Sequence, residues 1–192
     1  SSGGESRVTR CGYGDEDLCA EWADRSMAAW RRLSARAGLP LFHETGVLWI
    51  HPVGDPFVEA TARTLARHDI PHECLAAREL RARYPVLRVA DEEAALFEPR
   101  GGGLMARRAV QTLAAELAAD GVELVQAAAR PVRVADGAAG ALRSVRTAEG
   151  ETLEAEAFVF ACGPWLDRVC PDALSGRLFV TCLLYTSPSP RD

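Results

Sequence analysis

Seven residues late in the chain, AEAFVFA (Ala155–Ala161), constrain the fold more than any other stretch. A continuous apolar run of this length, with little polar alternation, is the pattern of a strand buried on both faces, which belongs in a parallel sheet between layers of helix. The next residues, CGPWLD (Cys162–Asp167), place glycine and proline where such a strand would turn into a helix. A chain carrying this unit is expected to be mixed α and β.

The upstream sequence agrees. Asp15–Ala37 repeats apolar residues at three- and four-residue intervals (Leu18, Trp22, Ala29, Leu33, Ala37), which predicts a helix with Trp22 and Trp30 in the core. Asp15 or Asp17 can cap its start, and Gly38 with Pro40 stops it. Leu41–His51 reads as strand with a turn near Gly46, Asp55–His68 as helix, and Ala77–Tyr84 as a short helix ended by Pro85. Ala94–Met105 predicts strand, tight glycine hairpin at Gly101–Gly103, and strand. Ala106–Asp120 predicts a helix burying Val110, Leu113, Ala114 and Leu117, with Gly121 as its stop. Val122–Ala127, Val132–Ala135 and Leu142–Thr147 read as strands, with turns at Asp136-Gly137 and Glu149-Gly150.

Composition excludes several functions. The net charge of −5 argues against nucleic acid as the main partner, because phosphate binding wants a basic face. No apolar run approaches the roughly 20 residues of a membrane span. No secretory signal is legible, although an N-terminus beyond Ser1 could hold one. Six dispersed cysteines without a C-x-x-C pair read as reduced thiols in a cytoplasmic protein. His68 and His72 are spaced for a helical metal face, but Pro71 between them spoils it, so no metal site is expected. All 22 basic residues are arginine, which leaves this chain no lysine for a Schiff base or a Walker-type phosphate loop. A dinucleotide fingerprint of strand, G-x-G-x-x-G and helix is also missing, since Gly101–Gly103 does not complete one.

Four blocks then form a recognisable series: GESRVTRCGYGDED, FHETGVLWI, ALFEPRGGGLM and VFACGPWL. In order and spacing they resemble the FAD-dependent amine oxidases of the monomeric sarcosine oxidase and N-methyltryptophan oxidase group, within the D-amino-acid-oxidase-like superfamily. The resemblance covers Ser1 to about Thr181, and the first block is its most specific part. It implies a partial FAD-binding Rossmann-like domain with part of a β-rich substrate domain. On this reading residues 1–14 form an arginine loop beside the flavin, about 40–105 belong to the substrate domain, and about 106–170 return to the FAD-binding domain. A glycine-loop unit would precede Ser1, and a further half, with its own lysine, would follow Thr181. The chain alone is expected to be inactive. Residues 182–192, CLLYTSPSPRD, back-translate without a gap to a sequence resembling a sequencing-library transposase adapter, and are read as unnatural.

The resemblance also assigns roles. Ser6 and Arg7 would lie near the flavin, where a cation favours the anionic reduced ring. Arg10 would help bind the substrate carboxylate, a task suited to its planar fork. From the residues alone, a solvated loop arginine and an ordinary salt bridge stay open for these two. Gly3 stands where many members carry histidine, which leaves the substrate and any proton handling there open. Arg130 would meet the adenine through its main chain. Cys162, Gly163 and Trp165 would lie in the loop closing over the cofactor, glycine permitting close approach, while packing remains open for Trp165. The implied activity is oxidation of the C–N bond of an N-methyl or secondary amino acid, with FAD as cofactor and dioxygen as final acceptor. Other superfamily oxidoreductases (a glycine or D-amino-acid oxidase, a hydroxy-acid or glycerol-phosphate dehydrogenase) and a non-enzymatic α+β binding module are the alternatives.

Overall fold

The computed structural model of the chain describes residues 4–133 and 142–169. Gly3, the Asp136-Gly137 turn, Cys170 and Cys182, and the 182–192 segment lie outside the described residues. The chain divides into two compact units, Ser1–Leu124 and Val125–Asp192.

The first unit runs β1 (Arg7–Thr9), α1 (Asp17–Ala37), β2 (Phe42–His43), β3 (Val47–Pro52), α2 (Pro56–Arg67), β4 (Glu73–Ala76), α3 (Ala77–Arg83), β5 (Glu93–Glu98), β6 (Gly102–Leu104) and α4 (Ala106–Ala119). Two small antiparallel sheets result, with strand orders β1-β6-β2 and β3-β5-β4. The expected hairpin at Gly101–Gly103 is therefore not one: β5 and β6 are consecutive in sequence but belong to different sheets. Glycine is needed because β6 sits between two neighbours. A Cβ at Gly102 would run into the His43 carbonyl, and one at Gly101 would lie 3.0 Å from the Thr9 carbonyl.

The helices follow their sequence signals at the ends and depart from them on their faces. Gly38 closes α1 in the left-handed region (φ 63°) and donates to the Ala35 carbonyl. Neither Asp15 nor Asp17 caps its start. Asp17 instead accepts hydrogen bonds from Arg67 (2.7 Å) and His68 (2.8 Å), tying the start of α1 to the end of α2. Asp55 caps α2 by accepting from the Phe57 and Val58 N–H groups, with Pro56 in its first turn.

One core cluster joins Ala20 and Met27 of α1, Val58 and Leu65 of α2, and Cys11, Ile70 and Leu96. A second joins Leu33, Leu41, Leu104 and Ala109, with Trp30 packed against it. Trp22 is not core; it is 59% exposed. In α4 the buried residue is Ala109, while Val110 is 61% exposed and Leu113 and Leu117 are also exposed. The small side chain at Ala109 lets α4 lie against α1, and the larger residues point away from that contact.

The second unit holds an antiparallel sheet of β7 (Ala129–Arg133), β8 (Leu142–Thr147) and β9 (Thr152–Glu154), then a 3₁₀ turn at Gly163–Trp165 and a short helix α5 (Leu166–Val169). Gly150 (φ 91°) makes the β8–β9 turn, and Pro164 opens the turn into helix as its sequence indicates. Two expected strands are absent. Val122–Ala127 and Ala155–Ala161 lack strand pairing, and Val159 is 93% exposed. A strand is held by hydrogen bonds to its neighbours, and among the described residues none lies beside either segment.

Candidate functional site

The segment between β1 and α1 is fastened along its backbone. In β1, Arg7 lies opposite Leu104, and Thr9 opposite Gly102. Beyond the strand, the Cys11 N–H donates to Glu98 Oε2 at 2.7 Å. The Gly14 N–H donates to Thr61 Oγ1 at 2.9 Å, and that hydroxyl donates to the Phe57 carbonyl. The loop rich in glycine is thus an ordered wall on β5 and α2.

Arg10 sits at its centre. The guanidinium carbon lies 4.1 Å from the Trp49 ring centroid and 4.9 Å from that of Tyr13, a cation held against two aromatic faces. Its Nη1 is buried and has no hydrogen-bond partner. Glu98, the last residue of β5, is 2% exposed, and its Oε1 is likewise buried without a partner. Both atoms lie close above Gly12: a Cβ there would lie 2.8 Å from Glu98 Oε1 and 3.6 Å from Arg10 Nη1. Glycine therefore lets the carboxylate and the guanidinium pack down on the backbone of the loop.

Burial pushes the Glu98 carboxyl above its ordinary range, because desolvation penalises the charged form. The Cys11 N–H and the Arg10 charge oppose that push, with smaller help from the Gly12 N–H and His72. The Cys11 thiol is pushed up to about 12, by burial first and by the Glu98 and Asp24 charges second. It is a core group with no thiolate chemistry at neutral pH.

Ser6, just before the edge strand β1, and Arg7, its first residue, are both exposed. Arg7 Nη1 donates to the Ser6 carbonyl at 2.7 Å, and among the described residues no carboxylate pairs with Arg7. The remaining site candidates belong to the second unit. Arg130 lies in β7, its backbone opposite Arg146 of β8. Cys162 is half-buried, Gly163 adopts φ 54°, and exposed Trp165 donates its N–H to the Cys162 carbonyl at 3.2 Å. Left-handed backbone at Gly163 is the conformation for which glycine is suited.

The sequence nominates both loop arginines as candidates but not the residues that surround Arg10. Tyr13, Trp49, Thr61 and Glu98 were not among its candidates. The available signal was Glu98 itself, a carboxylate ending the otherwise apolar AALF run of β5.

Comparisons with known proteins place this geometry in a family. Residues 1–189 match the DAO family, FAD dependent oxidoreductase. Over 110 residues the chain is 34% identical to an N-methyl-L-tryptophan oxidase of Yersinia pestis, covering 57% of this chain and 30% of that protein. Among solved structures, NikD, an amino acid oxidase of nikkomycin biosynthesis, superposes with a TM-score of 0.63 at 26% identity, over 88% of this chain and 42% of its own. An L-proline dehydrogenase from P. horikoshii superposes with a TM-score of 0.69 at 20% identity, over 84% and 42% of the two chains, and shares the fold. The chain thus spans less than half the length of the relatives it matches. With nearly its whole length matched, the chain belongs to the DAO family of FAD-dependent oxidoreductases.

Proposed function

We propose that the whole protein is an FAD-dependent amine oxidase acting on an N-methyl or secondary amino acid, with dioxygen as its second substrate. The observation that carries this reading is Arg10: a buried guanidinium nitrogen without a hydrogen-bond partner, on a cation held over aromatic rings, suits an anionic group. A substrate carboxylate fits that description. The N-methyl-L-tryptophan oxidase likeness supports the amine class.

The residues also suit the cofactor. Arg7 is an exposed cation without a carboxylate partner among the described residues, which matches a group that becomes anionic on reduction. In the first unit, Ser6 and Arg7 are the residues that would meet the cofactor. In the second unit taken by itself, Gly163 permits close backbone approach, and Arg130, Cys162 and Trp165 are its other candidates. When bound, FAD supplies the two-electron acceptor for the C–H bond beside the amine nitrogen, and dioxygen is reduced to hydrogen peroxide. The chain's own part is to fix the carboxylate at Arg10 and so hold the amine in one orientation. Residues about 40–105 would form part of the substrate domain, and 1–14 with about 106–170 the cofactor side. The free Cys11, Cys19, Cys74 and Cys162 fit a reducing, cytoplasmic setting. Among the described residues no helix is long and apolar enough to cross a membrane.

The test is peroxide release by the purified full-length protein with sarcosine, pipecolate and a 2-hydroxy acid. Turnover of the N-methyl or cyclic amino acids, by a yellow protein, is expected. A colourless protein, or one that oxidises only the hydroxy acid, overturns the proposal.

A further inference from the structure

We propose that Glu98 is the positioning residue for Arg10: its carboxylate anchors the Cys11–Gly12 backbone and supplies the counter-charge that leaves Arg10 Nη1 free to receive an anion. This deepens the carboxylate-receptor reading of Arg10 and rests on it.

An arginine packed on aromatic faces normally satisfies its N–H groups with a carboxylate fork, because an unpaired buried donor is costly. A carboxylate stands near Arg10, yet the two form no salt bridge. Glu98 Oε2 is committed to the Cys11 N–H at 2.7 Å, and Oε1, buried without a hydrogen-bond partner, packs over Gly12. The Cys11 bond thus turns Glu98 so that it neutralises Arg10 through space without occupying its donors. Trp49 and Tyr13 hold the guanidinium by its faces. Gly12 lets Glu98 Oε1 and Arg10 Nη1 both pack against its backbone.

Burial gives the same conclusion from the energetic side. A carboxylate 2% exposed is retained in a core only where it bonds or pairs with something. Its bonds here all go to the segment carrying Arg10. Its position, at the end of β5 four residues before Gly102 of β6, ties that segment to the strand pairing with Arg7–Thr9.

The deciding experiment is a double-mutant cycle in the full-length enzyme, using Arg10→Gln, Glu98→Gln and the double variant. Two readouts are taken: the Kd for propionate, a carboxylate that is not oxidised, by calorimetry, and KM against kcat for sarcosine. Glu98→Gln is expected to weaken propionate binding about tenfold and to raise KM more than it lowers kcat. In the double variant the two losses should not add, because both act on one receptor. Glu98→Asp, which keeps the charge, should recover part of the affinity; it also serves as the test variant if Glu98→Gln does not fold. Additive losses, or unchanged propionate affinity in a folded Glu98 variant, overturn the proposal. If the parent enzyme binds propionate through Arg10 but oxidises no amine, the amine-oxidase reading fails while the positioning role is still decided by the cycle.

Discussion

At Gly12 a Cβ atom would stand 2.8 Å from Glu98 Oε1 and 2.9 Å from Thr61 Cγ2, so alanine there must displace two buried side chains. Gly12→Ala is expected to cost about 1–3 kcal/mol, as overpacking a filled site does. Denaturant unfolding of the full chain measures it, and an unchanged midpoint would show that the space over Gly12 is more yielding than its borders indicate. Residue type alone leaves Arg7 and Arg10 readable as solvated or salt-bridged arginines, and only the resemblance of the block around them singles them out as site candidates. Their environment was not legible. Trp49 and Glu98 lie about forty and ninety residues downstream, and only the folding of β3 and β5 against the loop brings them to Arg10.

Among the elements, the joint between the start of α1 and the end of α2 rests on one carboxylate. Arg67 and then His68 hold the Asp17 carboxyl below its ordinary value of 3.8, by hydrogen bonds that favour the charged form. A depressed native pKa contributes stability that is present above 3.8 and lost as pH falls through the lower native value. Asp17→Asn should therefore lower the thermal midpoint at neutral pH, slightly, since the group is exposed. The gap to the parent should close below pH 3.8; a gap that persists in acid would mean that Asp17 acts through packing and not through charge. Helix bounds were more readable than caps: Gly38 ends α1 as its residue type favours, while neither Asp15 nor Asp17 caps its start. Helix faces were less readable, because periodicity reports that a stripe is apolar and not what lies against it. The stripe of α4 shows this, with Ala109 buried while Val110, Leu113 and Leu117 are exposed.

At the scale of the whole molecule, several large apolar side chains among the described residues are exposed. Val110, Leu113 and Leu117 in the first unit, and Val159 and Trp165 in the second, are exposed. Such surface attracts dyes and other chains. The 192-residue chain, purified alone, is expected to bind a hydrophobic dye strongly, and Val110→Glu with Leu117→Lys should reduce that signal without lowering the unfolding midpoint. A fall in the midpoint would show that these residues are packed after all. The most constraining stretch in the sequence, Ala155–Ala161, is an unpaired segment here, with Phe158 and Phe160 half-buried and Val159 exposed. Sequence records what a segment is suited to, while strand formation depends on neighbours that bond to it, and the described residues offer none.

The stretch from Glu98 to Leu104 touches the arginine loop twice, once through a carboxylate and once through a strand. It works like a jig, setting how far apart Arg7 and Arg10 stand. Residues 7–12 and 98–104 consequently form one transferable part. An attempt to transplant the arginine loop into a related oxidase would need both pieces moved together, with Gly12 and Gly102 intact, and the first piece moved alone would arrive without its spacing.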